Sequence, residues 1–514
     1  MRRRAAWTWI AVLAVSCAAP VARSPLDPLA RADAELLQGC YDCLLAARAG
    51  YRALGAGRDR PALATRLFEA DLLIALREKE LGLLASETVI EAHQLEGFLP
   101  SRLEAARYVA LVEALPGDPP GGSQRAARTA RAGFVRFWPV GGADLRDWLT
   151  RGGPLRAEVR HYLGIAFDCA RPSSGADARP PPPRDPEPPL LAYRRAICGP
   201  GSVTELAAVR RREPRFVETS LFLASAELAA AAPGATGQAE AYLAEVLARF
   251  PASPAAHALA GEARLVVADH VAALAHYDRA LALQGSHEQA LLGRTICLTD
   301  LGRHAEAIDA ATGLLLQDEA SGASAYYWRA RNHHALHQLA DAREDITEAK
   351  AIVPTADILG LAGIIEYDQA DLDPAEADLT AAIRTGGDCT PRWYLGLVHR
   401  QRRQWLPAGQ AFADAMGCYR DRVAESAGRQ ASLQARSDVD PAYRARMVAS
   451  LQASIDADDK QQHLAALMAA TELAAGGDVV AARPLAELAG EDRTLADQVA
   501  RLRARLGAAP HAEH

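Results

Sequence analysis

A repeat of nearly constant length constrains the fold of this 514-residue chain more than any other feature of its sequence. Its rows begin at Ser220, Pro254, Glu288, Ala323, Ala356 and Cys389, so that each row starts roughly 34 residues after the previous one. Each row contains a first helix of roughly a dozen residues, a short turn and a second helix. One such unit cannot bury its apolar face alone, so the pattern predicts units that stack side by side as a solenoid.

The turn inside each row supports this prediction. It spans residues 301–303 (Leu-Gly-Arg) in one row and 370–372 (Ala-Asp-Leu) in another, and a small residue, Ala307 or Ala375, follows soon afterwards. A small side chain at this place lets two helix backbones approach closely. We therefore expect each row to fold as an antiparallel helical hairpin.

The composition agrees with an all-α fold and argues against one class of partner. Half of the residues are apolar and 6% are aromatic, while alanine dominates many segments, which suits closely packed helices better than sheets. The formal charge of −7 and the isoelectric point near 6.1 provide no positive field. We therefore expect no nucleic-acid partner.

The amino terminus has the pattern of a secretory signal. Arginines at 2–4 precede an apolar run over residues 5–15, which is about half the length that a bilayer crossing needs. Residues 14–17 (Ala-Val-Ser-Cys) resemble a bacterial lipobox, which predicts lipidation of Cys17. Whether or not Cys17 is lipidated, the signal predicts export across the inner membrane to a periplasmic or membrane-anchored location.

An alternative processing site stays open. Leu13 lies one position earlier than the lipobox prefers, and Ala14 occupies the position where that motif prefers leucine. Ordinary cleavage after Ala18 or Ala19, without a lipid, is therefore the competing prediction.

Composition shifts divide the chain into segments. Apolar spacing predicts one amphipathic helix over residues 36–54 and a second over 63–81, whereas prolines exclude helix from 171 to 189. The predicted order is a signal (1–17), a tether (18–34), an additional N-terminal helical domain (35–168), a Pro-rich linker or loop (169–200), the repeat array (201–419) and a C-terminal extension (420–508). The extension is expected to contain a last hairpin at Gly476-Gly477 and a capping helix over 495–506.

The row from 393 to 416 resembles the tetratricopeptide repeat. Its Leu395, Gly396, Ala408, Phe412 and Ala415 match the residue types and positions that this family repeats. The resemblance covers about 200 residues and implies a superhelical solenoid of helical hairpins. Other rows depart from the pattern, since one has Thr295 in place of the glycine and another has Ala268 where the turn prefers glycine.

The resemblance also implies a concave groove lined by the first helix of each repeat. The residues expected to line it are Tyr327, Arg331, His334, Tyr367, Trp393, Leu397 and Arg400. Aromatic and arginine side chains are favoured contact residues in protein interfaces. We therefore expect a non-catalytic scaffold that binds a protein or peptide without a cofactor, and Arg400, Arg402 and Arg403 favour an acidic partner segment at one end.

Eight cysteines in a chain with a secretion signal predict disulfides. Cys389 opens the first helix of its row and Cys418 closes the second, so an antiparallel hairpin brings them side by side. Cys169 and Cys198 flank the Pro-rich stretch and are expected to join its base. Cys297 falls within a helix, where we expect it to be buried.

An enzyme is the competing function. Cys40 and Cys43 form a CxxC pair, which is compatible with a redox pair, half of a metal site or a local disulfide. His333 and His337 are spaced one helical turn apart, as two metal ligands would be. The sequence has no HExxH, no GxSxG and no Gly-rich phosphate loop, so we predict no metal and no catalytic residues.

Overall fold

The computed structural model describes an array of helical hairpins preceded by a separate group of helices. The described residues are 27–56, 59–83, 86–115, 148–149, 153–169, 187–198, 202–230, 235–317, 322–437, 439 and 441–508. These residues contain no β-strand, and the predicted all-α hairpin solenoid is confirmed. Among them, no helix is both long enough and apolar enough to cross a membrane. The predicted signal, including Cys17, lies outside the described residues.

The described helices before the array are taken together as the N-terminal unit. They are α1 (Pro28–Gln38), α2 (Tyr41–Ala53), α3 (Pro61–Glu80), α4 (Ser86–Leu95), α5 (Arg102–Ala114), α6 (Ala157–Cys169), α7 (Pro189–Cys198) and α8 (Ser202–Arg212). All but the last share one apolar core, and the last packs through Leu206 and Val209 in a second cluster with Tyr193 and Phe216. Helix α3 is buried on nearly every side, since 15 of its 20 residues are buried. It is therefore the central helix of the main core of this unit.

The array follows as pairs of helices of similar length. Its helices are α9 (Glu218–Ala230), α10 (Ala235–Arg249), α11 (Pro254–Val266), α12 (His270–Leu283), α13 (Glu288–Asp300), α14 (His304–Gln317), α15 (Gly322–Ala335), α16 (Leu339–Ile352), α17 (Ala356–Asp368), α18 (Leu372–Arg384), α19 (Cys389–Gln401), α20 (Trp405–Gln434), α21 (Pro441–Ala475), α22 (Val479–Ala489) and α23 (Ala496–Ala508). Odd-numbered helices from α9 to α21 are the first helices of hairpins. The even-numbered helices α10 to α22 are the second helices.

In several hairpins a glycine in the first helix lets the second helix approach. A β-carbon added to Gly261 would lie 2.7 Å from the ring of Tyr277, and one added to Gly396 would lie 2.7 Å from the ring of Phe412. The separation in sequence between the glycine and its partner is the same in both hairpins. Because a larger side chain would separate the helices, this contact fixes how closely the two helices pack.

In the second to sixth hairpins, from α11 to α20, the turn contains a residue in the left-handed conformation. Its φ angle is 56° at Ala268, 73° at Gly302, 57° at His337, 62° at Ala370 and 61° at Arg403. Each lies at the same offset from the start of its row. Only one of the five is glycine, so four of these turns place a side chain in a conformation that L-residues disfavour.

Three predicted boundaries in the N-terminal part are wrong. The predicted tether extends to 34, but α1 begins at Pro28 because Asp27 precedes a proline that fits the first helical turn. The helix expected over 36–54 is two helices, since Gly39 adopts a φ of 79° and ends α1. The predicted linker extends to 200, but α7 occupies Pro189–Cys198 and buries Tyr193.

The N-terminal unit is joined to the array by a buried group of charges. Arg77 of α3 is fully buried, and its guanidinium lies 3.0 Å from Glu80 and 3.1 Å from Glu218 of α9. The guanidinium carbon also lies 3.9 Å from the ring centroid of Tyr193. Replacement of Arg77 would leave the buried Glu218 without an ion-pair partner, so this contact strongly favours one relative placement of α3 and α9.

Replacement of Ala370 by glycine is expected to stabilise the protein. Ala370 is exposed and adopts the left-handed conformation. The free energy gained when glycine relieves this conformation should exceed the cost of the extra entropy that glycine adds to the unfolded chain. We expect the free energy of unfolding in urea to rise by about 0.5–1 kcal/mol. Ala377→Gly, at an exposed site inside α18, is the matched control and should lower it by about 1 kcal/mol. A loss of stability in Ala370→Gly would contradict this account of the turn.

Candidate functional site

The candidate site is the surface formed by the first helices of the middle hairpins, which we call the trough. Side chains three or four positions apart on a helix share one face. Tyr327, Arg331 and His334 have this spacing on α15, and Tyr367 lies at the position on α17 that corresponds to His334. Tyr327, His334 and Tyr367 are half-buried and Arg331 is exposed.

Aromatic rings hold Arg331 in place. Its guanidinium carbon lies 5.1 Å from the ring centroid of Trp328, and the rings of Trp328 and Tyr327 meet edge to face at 5.3 Å. Burial raises the pKa of the Tyr327 hydroxyl, which interacts with Arg331. Arg331 has no carboxylate ion pair within the described part of the chain. A positive group is therefore presented beside two rings without a direct ion pair among the described residues, and the negative charge of Asp357 acts on the same Tyr327 hydroxyl.

Contacts between successive hairpins continue the trough. His334 Nε2 lies 2.7 Å from Asp368 Oδ2, which joins α15 to the end of α17. The ring of Tyr367 meets the ring of Tyr394 of α19 edge to face, with centroids 5.6 Å apart. The predicted residues on α15 and α17 thus lie along one surface, with Tyr327, His334 and Tyr367 half-buried and Arg331 exposed.

The predicted residues on α19 are placed differently. The ring of Trp393 packs edge to face on Phe412 at 5.0 Å, and Leu397 packs beside it against a core that includes Ala469 of α21. Both side chains are half-buried between helices. They therefore contribute to the packing of the sixth hairpin on α21 as well as to the edge of the trough.

Ion pairs within the chain argue against the expected acidic partner segment at the arginine-rich end. Arg402 pairs with Asp373 and Glu376 of α18, and Arg400 Nε lies 3.9 Å from Glu472 Oε1 of α21. Arg403 lies in the left-handed turn. The chain's own carboxylates therefore neutralise much of this end. The sequence spacing did not reveal them because they belong to neighbouring helices.

The structure joins Cys389 and Cys418 by a disulfide, with Cα atoms 5.5 Å apart. Cys169 and Cys198 end α6 and α7, and their side chains lie outside the described residues. Cys297 is buried, and burial raises the pKa of its thiol to about 12, so this thiol is protonated at neutral pH.

The CxxC pair of the enzyme alternative is a local disulfide. Cys40 and Cys43 are bonded to each other and both are fully buried. The Cys43 backbone N–H donates to Cys40 Sγ at the start of α2. The arrangement is a cap for this helix inside the core and provides no accessible thiol for exchange.

The histidine pair of the enzyme alternative is separated by the end of a helix. Helix α15 ends at Ala335, so His337 lies beyond it in the left-handed turn. His333 Nδ1 lies 2.6 Å from Gln338 Oε1 and its Nε2 lies 3.8 Å from Asp345. The expected one-turn spacing on a continuous helix is therefore wrong. No group of three metal-ligating side chains occurs within the described ranges.

Sequence reasoning missed a second set of buried carboxyl groups in the N-terminal unit. Asp71 of α3 is fully buried, its nearest cation is Arg48 at 3.8 Å, and burial raises its pKa to about 7. Glu78 accepts hydrogen bonds from Tyr41 and Thr88, and burial raises its pKa as well. Charged residues on a helix usually indicate an exposed face, and no local pattern marks these as buried.

Comparisons with known proteins bear on the fold alone. No family model matches this sequence, and no curated protein matches it. Among solved structures, the chain is similar to a tetratricopeptide repeat protein from Parabacteroides merdae at 12% identity, covering 51% of this chain and 92% of that one with a TM-score of 0.36. It is also similar to the APC/C hetero-tetramer Cut9–Hcn1 at 13% identity, covering 91% and 90% with a TM-score of 0.44.

A third similar structure is the tetratricopeptide domain of P58(IPK), at 15% identity and a TM-score of 0.21, with 57% and 98% of the two chains covered. At such low identity and TM-score, these likenesses carry no inference about partners. The hairpin geometry itself shows an all-α solenoid, with rows of nearly constant length, glycines opposite a partner at constant sequence separation, and left-handed turns.

Glu366, next to Tyr367 in α17, makes the stability of the trough depend on pH. Burial, with the charge of Asp378, raises the pKa of its carboxyl group from 4.5 to about 7, although Lys350 acts in the opposite direction. The folded protein therefore holds this proton more tightly than the unfolded chain does. The resulting stability is present below about pH 4.5 and is lost as the pH rises through 7.

We expect Glu366→Gln to remove this loss. Relative to the parent, the variant should gain on the order of 2 kcal/mol in free energy of unfolding between pH 4.5 and pH 7.5. Urea titrations at both pH values measure this difference, with Glu348→Gln on the exposed side of α16 as the control. Parallel pH profiles for the parent and Glu366→Gln would show that this carboxyl group titrates alike in the folded and unfolded states.

Proposed function

We propose that this tetratricopeptide-type solenoid is a non-catalytic scaffold outside the cytoplasm that binds an extended segment of another protein in its trough. The observation that carries the proposal is the row of half-buried aromatic residues with Arg331 exposed beside it. Aromatic and arginine side chains provide most of the binding energy in many interfaces. Their conformations are already restricted by ring contacts, so binding loses little side-chain entropy.

The charges of the trough indicate the chemistry of the partner. Asp368 is paired with His334, whereas Arg331 has only ring and hydroxyl contacts among the described residues. A partner carboxylate near Arg331, followed by apolar side chains on Tyr367, would complement this surface. This assigns the acidic preference to the middle of the trough rather than to Arg400.

The placement outside the cytoplasm is supported by two features. The amino-terminal pattern of arginines and apolar residues is typical of a signal, and the two disulfides, Cys40–Cys43 and Cys389–Cys418, suit an oxidising compartment. A redox or metal-dependent enzyme is the competing function. The burial of the Cys40–Cys43 disulfide and the separation of His333 from His337 both argue against it.

Site-specific photo-crosslinking tests the trough. A photoreactive amino acid at Tyr327 should capture a defined partner in intact cells, because this position lies on the proposed binding surface. The same amino acid at Val480, which is 84% exposed on α22, is the matched control and should not capture that partner. Arg331→Ala should weaken affinity for the captured partner at least tenfold, or about 1.4 kcal/mol, by isothermal titration calorimetry.

Arg384→Ala tests whether the effect is specific to the trough. Arg384 is an exposed arginine at the end of the second helix α18, and its removal should leave affinity unchanged. Equal capture from positions 327 and 480, or equal losses in the two arginine variants, would exclude the trough as the binding surface.

Mass spectrometry of the mature protein tests the predicted anchor. We expect an amino-terminal Cys17 bearing acyl chains, recovered in the membrane fraction, because lipidation adds the apolar surface that membrane attachment needs. Cys17→Ser should move the protein to the soluble fraction. An unmodified mature amino terminus at residue 19 or 20 would support ordinary cleavage and contradict lipidation.

A further inference from the structure

Two helices of the C-terminal part are far longer than the others. Helix α20 has 30 residues and α21 has 35, whereas the earlier helices of the array have 13 to 15. Their extra lengths, residues 420–434 and 441–460, lie against each other and form an antiparallel arm. The arm projects from the sixth hairpin before α21 returns as the first helix of the seventh.

The base of the arm is held firmly. The Cys389–Cys418 disulfide joins the start of α19 to α20 just before the arm begins. Arg422 then bridges two carboxylates, with Nη1 2.5 Å from Asp388 and Nη2 2.8 Å from Asp458 on the returning helix. A covalent bond and two ion pairs therefore fix where the arm leaves the array.

The tip of the arm contacts the first two hairpins. Leu433, Val439 and Tyr443 form a buried apolar cluster with Val267, which lies at the end of α11. The ring of Tyr443 covers Gly237 of α10, where an added β-carbon would lie 3.7 Å from the ring. The arm thus links the sixth hairpin to the first and second.

One carboxylate completes the tip contact. Glu240 of α10 lies 3.4 Å from Arg446 of the arm and 3.4 Å from Arg264 of α11. Arg446 is 37% exposed, so water reaches this ion pair. The tip is therefore held by a small apolar cluster and a partly solvated ion pair, without a covalent bond.

The middle of the arm is mostly exposed. Residues 424, 425 and 427–429 are exposed, and Gln430 donates hydrogen bonds to Val448 O and Gln452 across the arm. The two helices of the arm therefore support each other between its base and its tip.

This contact changes the mechanics of the array. Repeats of a solenoid normally contact only their neighbours, so small rotations between repeats add up and the curvature is soft. Here the arm closes a circuit of packed elements from the first hairpin through the sixth and back. We propose that the arm is a clasp whose tip docks reversibly on the first two hairpins and, while docked, fixes the curvature of the array and the width of the trough.

The first test releases the tip. Tyr443→Ala with Arg446→Ala removes the apolar anchor and the ion pair. Glu425→Ala with Arg429→Ala, which removes an exposed ion pair within α20 in the middle of the arm, is the control. We expect hydrogen exchange in α13, α15 and α17, the first helices of the middle hairpins, to rise about fivefold or more in the release variant. The radius of gyration from small-angle scattering should rise as well, while the control matches the parent.

The second test locks the tip. Gly237 and Tyr443 have β-carbon positions 3.9 Å apart, which suits a disulfide in Gly237→Cys with Tyr443→Cys. If the parent clasp opens reversibly, the locked protein should exchange more slowly than the parent in α13, α15 and α17. Reduction of the new bond should return exchange to the parent rate or faster.

Three results would overturn the proposal. Faster exchange confined to the arm, α10 and α11 would make the tip a local contact. Identical exchange in the locked and parent proteins would show that the tip does not open. A dimeric mass for the parent in light scattering, lost in the release variant, would mean that the arm docks on a second copy. None of these outcomes depends on what binds in the trough.

Discussion

The close approach of two helices within each hairpin is the contact on which the rest of the structure depends. Gly261 against Tyr277, Gly363 against Leu379, and Gly396 against Phe412 share one sequence separation, and each leaves no room for a β-carbon. Since the interior is close-packed, this spacing fixes the distance between paired helices. Repetition of one hairpin geometry then places successive first helices beside each other and produces the trough.

Both ends of the array make contacts that the stacking of repeats alone does not provide. At the amino-terminal end, the buried pair of Arg77 and Glu218 joins α3 to α9, and its paired charges offset the cost of burial only in one geometry. At the other end, the arm returns to Val267 and Gly237. The middle hairpins that carry Tyr327 and Tyr367 therefore lie between two fixed points, which suits a surface that is preorganised for binding.

The candidate site was predictable in part, and the difference lies in what each residue contacts outside its own hairpin. Positions of Tyr327, Arg331 and Tyr367 follow from the helical register, because side chains three and four residues apart share a face. The surroundings of Arg400 and Trp393 do not follow from it, since Glu472 and Ala469 approach them from α21. Register places a side chain on a face, whereas the neighbouring element decides whether that face is covered.

The sequence by itself determined the hairpins, because row length, apolar periodicity and small residues act between residues of a single row. It also indicated the Cys389–Cys418 pairing within one row. Only the tertiary structure decided that Asp71 and Arg77 are buried, and that the arm meets the start of the array. Arg446 and Glu240 are 206 residues apart, and charged or apolar side chains at such separation have no local pattern that specifies their pairing. Their contact depends on the accumulated rotation of all the hairpins between them.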